Sequence, residues 1–333
     1  MSIRVVRKQK RASVKKVSVT RQRETFDVLV LATMSAGKSA FINALVGHEL
    51  LPSANEATTA CLTSIAHRRS AKYFRGSCFS HKGEKISSQV DASITQVRAW
   101  NADPDVKHIQ LSGKFGGRPT IPPGLVLHDT PGPNNSQDER HGELMLEAVR
   151  TVPYKLLCYV LNAGQLGTWD DRRLLEALRD ELVEETGQRV VFILNKVDLL
   201  DPERGENISD CVDKARLYLE GLGFIQPLIV PTMASIALCA RKAMRDEPLT
   251  RAERMKLRQA LDDMVVETEY VLHAALPEAT RIRALKDIKK TSKTSPAAPD
   301  AARTSEIAEL EQLLVRSGIS TVEFLINQRN KFD

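Results

Sequence analysis

The sequence predicts an α/β fold: a mainly parallel sheet flanked by helices, with a short C-terminal helical segment. Three observations lead there. Short runs rich in Val, Leu and Ile alternate with amphipathic stretches of helical period, the pattern of strands buried on both faces by helices. One such run, "TFDVLVLA" (25–32), leads through Gly37-Lys38-Ser39 straight into a helical stretch. After Pro248 the strand signals stop and only helical stretches follow.

The elements follow in order. Residues 1–23 hold nine Lys/Arg and no acid, whereas the rest of the 333 residues carries 39 basic and 42 acidic groups. The formal net charge of +6 therefore sits in an arm, 1–24, and the body is near −3. Such an arm is either a solvated extension, disordered or helical, or a lure for phosphate polyanions such as nucleic acid or anionic lipid. A strand at 25–32 precedes the helix "KSAFINALVG", ended by Gly47. Further strands are expected at 61–67, 72–79, 106–112, 124–129, 155–162, 189–195 and 227–232. The stretch 60–112 is rich in strand and is assigned an antiparallel edge. A helix is expected over 168–187, with Leu174, Leu175, Leu178 and Leu182 on one face, Thr168 as N-cap and Gly187 past its end.

Beyond Pro248, helices are expected at 250–274, 278–290 and 304–330. The polar, proline-containing "KKTSKTSPAAPDAA" (289–302) serves as a linker. The chain divides into the arm 1–24, an α/β domain 25–247 and a helical segment 248–333 with its linker near 289–303. The last stretch reads as two short helices docking on the domain, the second of them binding a protein partner. Five scattered cysteines without a C-x-x-C pair suggest buried free thiols in a reducing interior. No apolar run approaches the roughly 18–20 residues that cross a bilayer, and no apolar stretch follows the basic start as in a signal peptide. The expectation is a cytoplasmic protein, with an arm able to hold it at a membrane or nucleoid.

Four short stretches carry chemistry. Ala32 to Ser39, "ATMSAGKS", reads as a phosphate-binding loop with Ala where a first glycine normally stands. Backbone N–H groups of Ala36, Gly37, Lys38, Ser39 and Ala40 would cradle phosphate at the positive end of the helix. Lys38 would neutralise β/γ oxygens, and the Ser39 hydroxyl would ligate Mg²⁺. In "HDTPGP" (128–133), Asp129 at a strand's carboxyl end suits a Mg²⁺ or Mg²⁺-water ligand, and Gly132 could offer its N–H to γ-phosphate.

"LNKVDLLD" (194–201) has the N-K-x-D pattern that reads guanine. The Asp198 carboxylate can accept from the ring N–H and the exocyclic amine, and against adenine it would be left unpaired at a cost of several kcal/mol. Asn195 braces the loops and the Lys196 stem covers the base. Between the first two motifs, "LPSANEATTACLT" (51–63) offers Thr58 or Thr59 to Mg²⁺ and the attacking water. After the last strand, Thr232 and Met233 stand where a fifth loop would back the base. Three motifs in order, each at a strand end, identify GTP as the ligand of a P-loop GTPase domain.

The run "MSAGKSAFINALVGHELLPSANEATTACLT", with "LHDTPGPNN", "VLNAGQLGTWDDRRLLEAL" and "NKVDLLD", resembles the dynamin superfamily, specifically bacterial dynamin-like GTPases, over about 25–245. The resemblance implies hydrolysis of GTP to GDP and phosphate, stimulated by self-association through the nucleotide face. It matches Thr59 to the switch threonine. It matches Ser35 to a serine that helps hold K⁺ or Na⁺, a cation that replaces an arginine finger. Met34 stands where eukaryotic dynamins carry a water-orienting glutamine, which implies slow intrinsic turnover. Such proteins usually continue into a long helical stalk, and the residues after Pro248 suffice for a short neck. The alternative is a GTP-dependent switch or scaffold with little hydrolysis, binding a partner, DNA or anionic membrane through its arm.

Overall fold

The computed structural model describes residues 25–33, 35–52, 61–116, 121–122, 124–131, 139–182, 189–263, 272–292 and 301–328. The basic arm lies outside the described residues, as does most of the linker.

Nine strands among the described residues form one sheet: β1 (Phe26–Ala32), β2 (Leu62–His67), β3 (Arg75–Ser80), β4 (Lys85–Gln89), β5 (Val106–Gly113), β6 (Leu125–Asp129), β7 (Leu156–Asn162), β8 (Arg189–Asn195) and β9 (Leu228–Thr232). Their spatial order is β4-β3-β5-β2-β6-β1-β7-β8-β9. From β6 to β9 every pairing is parallel. Here lie the continuous apolar runs, and β1 is buried along its whole length. β2 joins β6 antiparallel, and β3 is antiparallel to both β4 and β5. The expected antiparallel edge is therefore present. β2 and β5 are parallel to each other within it.

The helices among the described residues are α1 (Lys38–Val46), α2 (Ile94–Ala102), α3 (Glu139–Thr151), α4 (Trp169–Glu181), α5 (Ile208–Gly221), α6 (Ala234–Met244), α7 (Arg251–Asp262), α8 (Glu278–Ser292), α9 (Ala301–Arg316) and α10 (Ile319–Asn327). α1 ends at Gly47 with φ 77°, where a Cβ would come 2.9 Å from the Gly116 backbone. α4 starts at the expected cap, the Thr168 side chain accepting from the Asp171 N–H. It stops at Leu182, sooner than expected, and Gly187 lies outside the described residues. β4 and α2 were not expected. β4 is an exposed edge strand whose "KISSQ" shows no apolar alternation, so its hydrogen bonds to β3 alone define it.

The C-terminal half departs most from expectation. α7 ends at Asp262, and Ala275 then pairs antiparallel with Ile229 of the outer strand β9. The two short helices expected of the last stretch, 304–330, are α9 and α10, separated at Ser317-Gly318. Every side chain from Ile319 to Ile326 is buried, Ser320, Thr321 and Glu323 included. This corrects the expectation of a partner-binding second helix: α10 is spent on its own chain, against α1, α8, α9 and β9. All five cysteines are free and buried, and burial pushes the Cys61 and Cys158 thiols up to about 12.

Candidate functional site

The predicted motifs meet at the carboxyl ends of the parallel strands, where open α/β sheets bind ligands. Ala32 is the last residue of β1, paired with Val160 of β7 and therefore extended. Nothing at this position needs a left-handed backbone, so alanine serves in place of glycine. The left-handed positions come later, at Ser35 (φ 61°) and Gly37 (φ 90°). A Cβ on Gly37 would stand 2.4 Å from Asn195 Nδ2. Glycine is needed there for both reasons. Ala36 is buried, Ser35 is exposed, and Ser39 and Ala40 are half-buried in the first turn of α1. That turn carries N–H groups for which no helical carbonyl exists.

Lys38 is buried and donates from Nζ to Asp129 Oδ1 and, at 2.6 Å, to the Thr130 carbonyl. Lys38 and the carboxylate at the end of β6 thus share one point, although 91 residues separate them. Asp129 is fully buried, and the Thr130 hydroxyl donates to the Val30 carbonyl at 3.0 Å. That bond fixes the loop after β6 to the central strand. Met34, Thr58, Thr59 and Gly132 lie outside the described residues.

At the end of β8, Asn195 is buried and uses both ends of its carboxamide. Its Nδ2 donates to the Ala36 carbonyl at 2.9 Å. Its Oδ1 accepts from the Thr232 hydroxyl at 3.2 Å and from the Ala234 N–H at 3.1 Å. Asn195 therefore joins the loop after β1 to the loop after β9. Thr232 lies in register with Asn195 on the neighbouring strand. Lys196 is left-handed (φ 65°), and its Cε lies 3.8 Å from where a Gly37 Cβ would stand, so its stem crosses above the phosphate loop. Asp198 follows in a 3₁₀ turn, 197–199. Burial pushes its carboxyl above the usual range, against the opposing pull of a backbone N–H and of Lys256 and Lys196. Met233 is buried and precedes the first turn of α6.

Sequence reasoning missed two supports. Asp171 is a buried carboxylate that accepts from Tyr159 Oη at 2.9 Å, from Tyr218 Oη at 3.4 Å and from the Thr33 hydroxyl at the start of the phosphate loop. Burial raises its pKa despite those three donors. Its only signal was its place three residues after the cap Thr168, which reads simply as helix initiation. The second support is the turn between α9 and α10, whose Ser317 carbonyl accepts from the Met233 N–H at 2.9 Å. Nothing local in "RSGIS" announces a contact of such long range.

The arrangement presents one ammonium, one carboxylate and one helix-opening hydroxyl around a left-handed glycine. It is suited to a polyphosphate with a hard divalent cation, because Ser39 and Asp129 both offer oxygen. A model of the dynamin family matches residues 28–197 of this chain. A bacterial dynamin-like protein of Nostoc punctiforme is 27% identical over 210 residues, which is 59% of this chain and 29% of that protein. The chain thus spans less than a third of this curated relative's length. Among solved structures, one chain of an oligomerised bacterial dynamin pair, described as a mechanism for long-range sensing and tethering of membranes, aligns at TM-score 0.50 and 14% identity. It covers 82% of this chain and 43% of its own. Another chain so described aligns at TM-score 0.48 and 14% identity, covering 82% and 50%. At 14% identity the first of these likenesses is one of fold.

Proposed function

This chain belongs to the dynamin family, and from that premise we propose that it binds GTP and hydrolyses it to GDP and phosphate, faster when two copies meet across the nucleotide face. One observation carries the reading: the Asn195 carboxamide makes the phosphate loop and the base-side loop a single hydrogen-bonded unit. A guanine held by Asp198 would then lie at a fixed distance from Lys38.

In this reading Ala36, Gly37, Lys38, Ser39 and Ala40 receive the α- and β-phosphates through backbone N–H groups. Lys38 turns from Asp129 to the β/γ oxygens, exchanging one anionic partner for another. Gly132 approaches γ-phosphate, Thr59 orients the attacking water, and Asp198, Lys196, Thr232 and Met233 enclose the base. Ser39, Asp129 and Thr59 would hold Mg²⁺ through oxygen, and the ion would supply positive charge against the phosphates. Ser35 is the position at which K⁺ or Na⁺ would add charge. Water oxygen bonds to the γ-phosphorus in line, the β–γ bridging bond breaks, and its electrons leave with GDP. The two protons of the attacking water end on phosphate and solvent.

We assign 25–247 as the GTPase domain and the helices after 248 as a neck-like segment docked on it. The solved bacterial dynamin pair is described as tethering membranes, and an anionic membrane is the partner we assign to the arm. The nine Lys/Arg of that arm favour one alternative, a GTP-dependent switch or scaffold on membrane, DNA or a protein, with little hydrolysis. Among the described residues no helix is long and apolar enough to cross a membrane. The test is GTP turnover across a protein concentration series, with and without potassium, anionic vesicles and DNA. Turnover per molecule that rises with concentration supports the dynamin-like enzyme. Turnover that stays near zero in every condition while GTP binds supports the switch.

A further inference from the structure

The turn between α9 and α10 lies against the loop assigned to the base. The Met233 N–H precedes the first turn of α6 and has no helical acceptor, and the Ser317 carbonyl ends α9 and has no helical donor. Each satisfies the other at 2.9 Å. Gly318 is left-handed (φ 76°), and a Cβ there would stand 2.0 Å from the Pro231 carbonyl and 3.2 Å from Thr232 Cγ2. The turn is hydrogen-bonded within itself. Ser317 Oγ donates to the Leu314 carbonyl at 2.7 Å, the Gly318 N–H reaches the Val315 carbonyl at 3.2 Å, and the Thr321 N–H reaches the Gly318 carbonyl at 3.0 Å.

The same hairpin also reaches the phosphate side. Glu323 of α10 pairs with Arg241 of α6, and Arg241 Nη1 donates to the Ala44 carbonyl and, at 3.3 Å, to the Leu45 carbonyl at the end of α1. Residues 231–234 are thus held from one side by Asn195 and from the other by Ser317-Gly318.

We propose that the α9–α10 turn is a positioning element of the nucleotide site: Ser317 and Gly318 fix the loop 231–234 that backs the base, so guanine nucleotide binding and docking of the hairpin stabilise one another. The proposal rests on the GTP reading above and deepens it. Linkage makes the effect reciprocal, so loosening the turn weakens nucleotide binding and nucleotide tightens the turn. Their contacts with the site fall on Pro231, Thr232 and Met233, on the base side, so the chemical step is spared.

The test compares the full chain with Gly318→Ala, and with Glu309→Ala on the exposed face of α9 as control. GDP and ADP are titrated by calorimetry, and GTP turnover is measured at saturation. For Gly318→Ala the expected results are a GDP Kd raised about tenfold, a smaller preference for GDP over ADP, a raised KM and an unchanged kcat. Glu309→Ala should match the parent. A GDP Kd unchanged in Gly318→Ala overturns the proposal alone, and a parent that binds neither nucleotide overturns the GTP reading with it. Should Gly318→Ala fail to fold, amide hydrogen exchange of the parent decides. Protection across 317–321 is expected to rise with GDP, and protection that stays the same overturns the proposal.

Discussion

Asn195 donates to the Ala36 carbonyl at 2.9 Å across 159 residues of sequence, and through this bond the end of β8 holds the phosphate loop that follows β1. Its oxygen meanwhile accepts from Thr232 and the Ala234 N–H. Asn195→Ala leaves three buried polar groups without this partner. We expect a loss of about 3 kcal/mol in stability and a weaker GDP affinity, read by urea unfolding and calorimetry. Asn195→Asp keeps the acceptor and turns the donor into an anion facing a carbonyl, so it should weaken GDP binding as well.

Arg241 and Glu323 form a buried ion pair between α6 and α10, with side chains 4% and 5% exposed. Glu323→Ala leaves a buried guanidinium with the Ala44 and Leu45 carbonyls alone, and should cost about 3 kcal/mol. The double variant Arg241→Met with Glu323→Leu should recover most of that loss. Recovery will be incomplete, because those two carbonyls lose their side-chain donor. Unfolding midpoints of the three proteins check both statements.

Acid should unfold the protein through specific carboxylates. Burial alone would push Asp27 up, but hydrogen bonds from His128 Nε2 (2.8 Å) and Thr25 hold it below its ordinary 3.8. Burial likewise opposes Glu253, yet Lys242 and the Thr250 cap hold it below 4.5. A carboxyl lowered by folding stabilises above its unfolded pKa and loses that contribution as pH falls through the folded value. Stability should therefore hold down to about pH 5 and decline below it. Asp27→Asn should lower stability at neutral pH and flatten the acid decline, seen in urea midpoints measured against pH.

Met34, outside the described residues, stands where the family resemblance calls for a water-orienting glutamine. A thioether is a poor hydrogen-bond partner for that water. Met34→Gln should speed single-turnover hydrolysis, and a rate equal to that of the parent speaks against this account of slow turnover.

What the sequence disclosed follows its physics. β1, β6, β7 and β8 are continuous apolar runs because helices bury both their faces, and the motifs stand at their ends because that is where a parallel sheet opens. Lys38, Asp129 and Asn195 were legible for that reason. β4 was not, because its exposed Ser and Lys side chains carry no burial signal and its identity lies in pairing to β3. α10 reads in the sequence as a partner-binding helix, since the residues that bury its polar face, Arg241 foremost, come from far along the chain. The tie from Ser317 to Met233 joins two backbone groups and leaves no trace in side-chain pattern.

The central claim is that Asp198 and the loops joined by Asn195 select guanine. Calorimetric titration of the full chain with GDP and with ADP tests it most directly. The account predicts GDP binding at least about a hundredfold tighter than ADP, because adenine would leave the Asp198 carboxylate unpaired. Equal affinity for the two, or binding of neither, would contradict it.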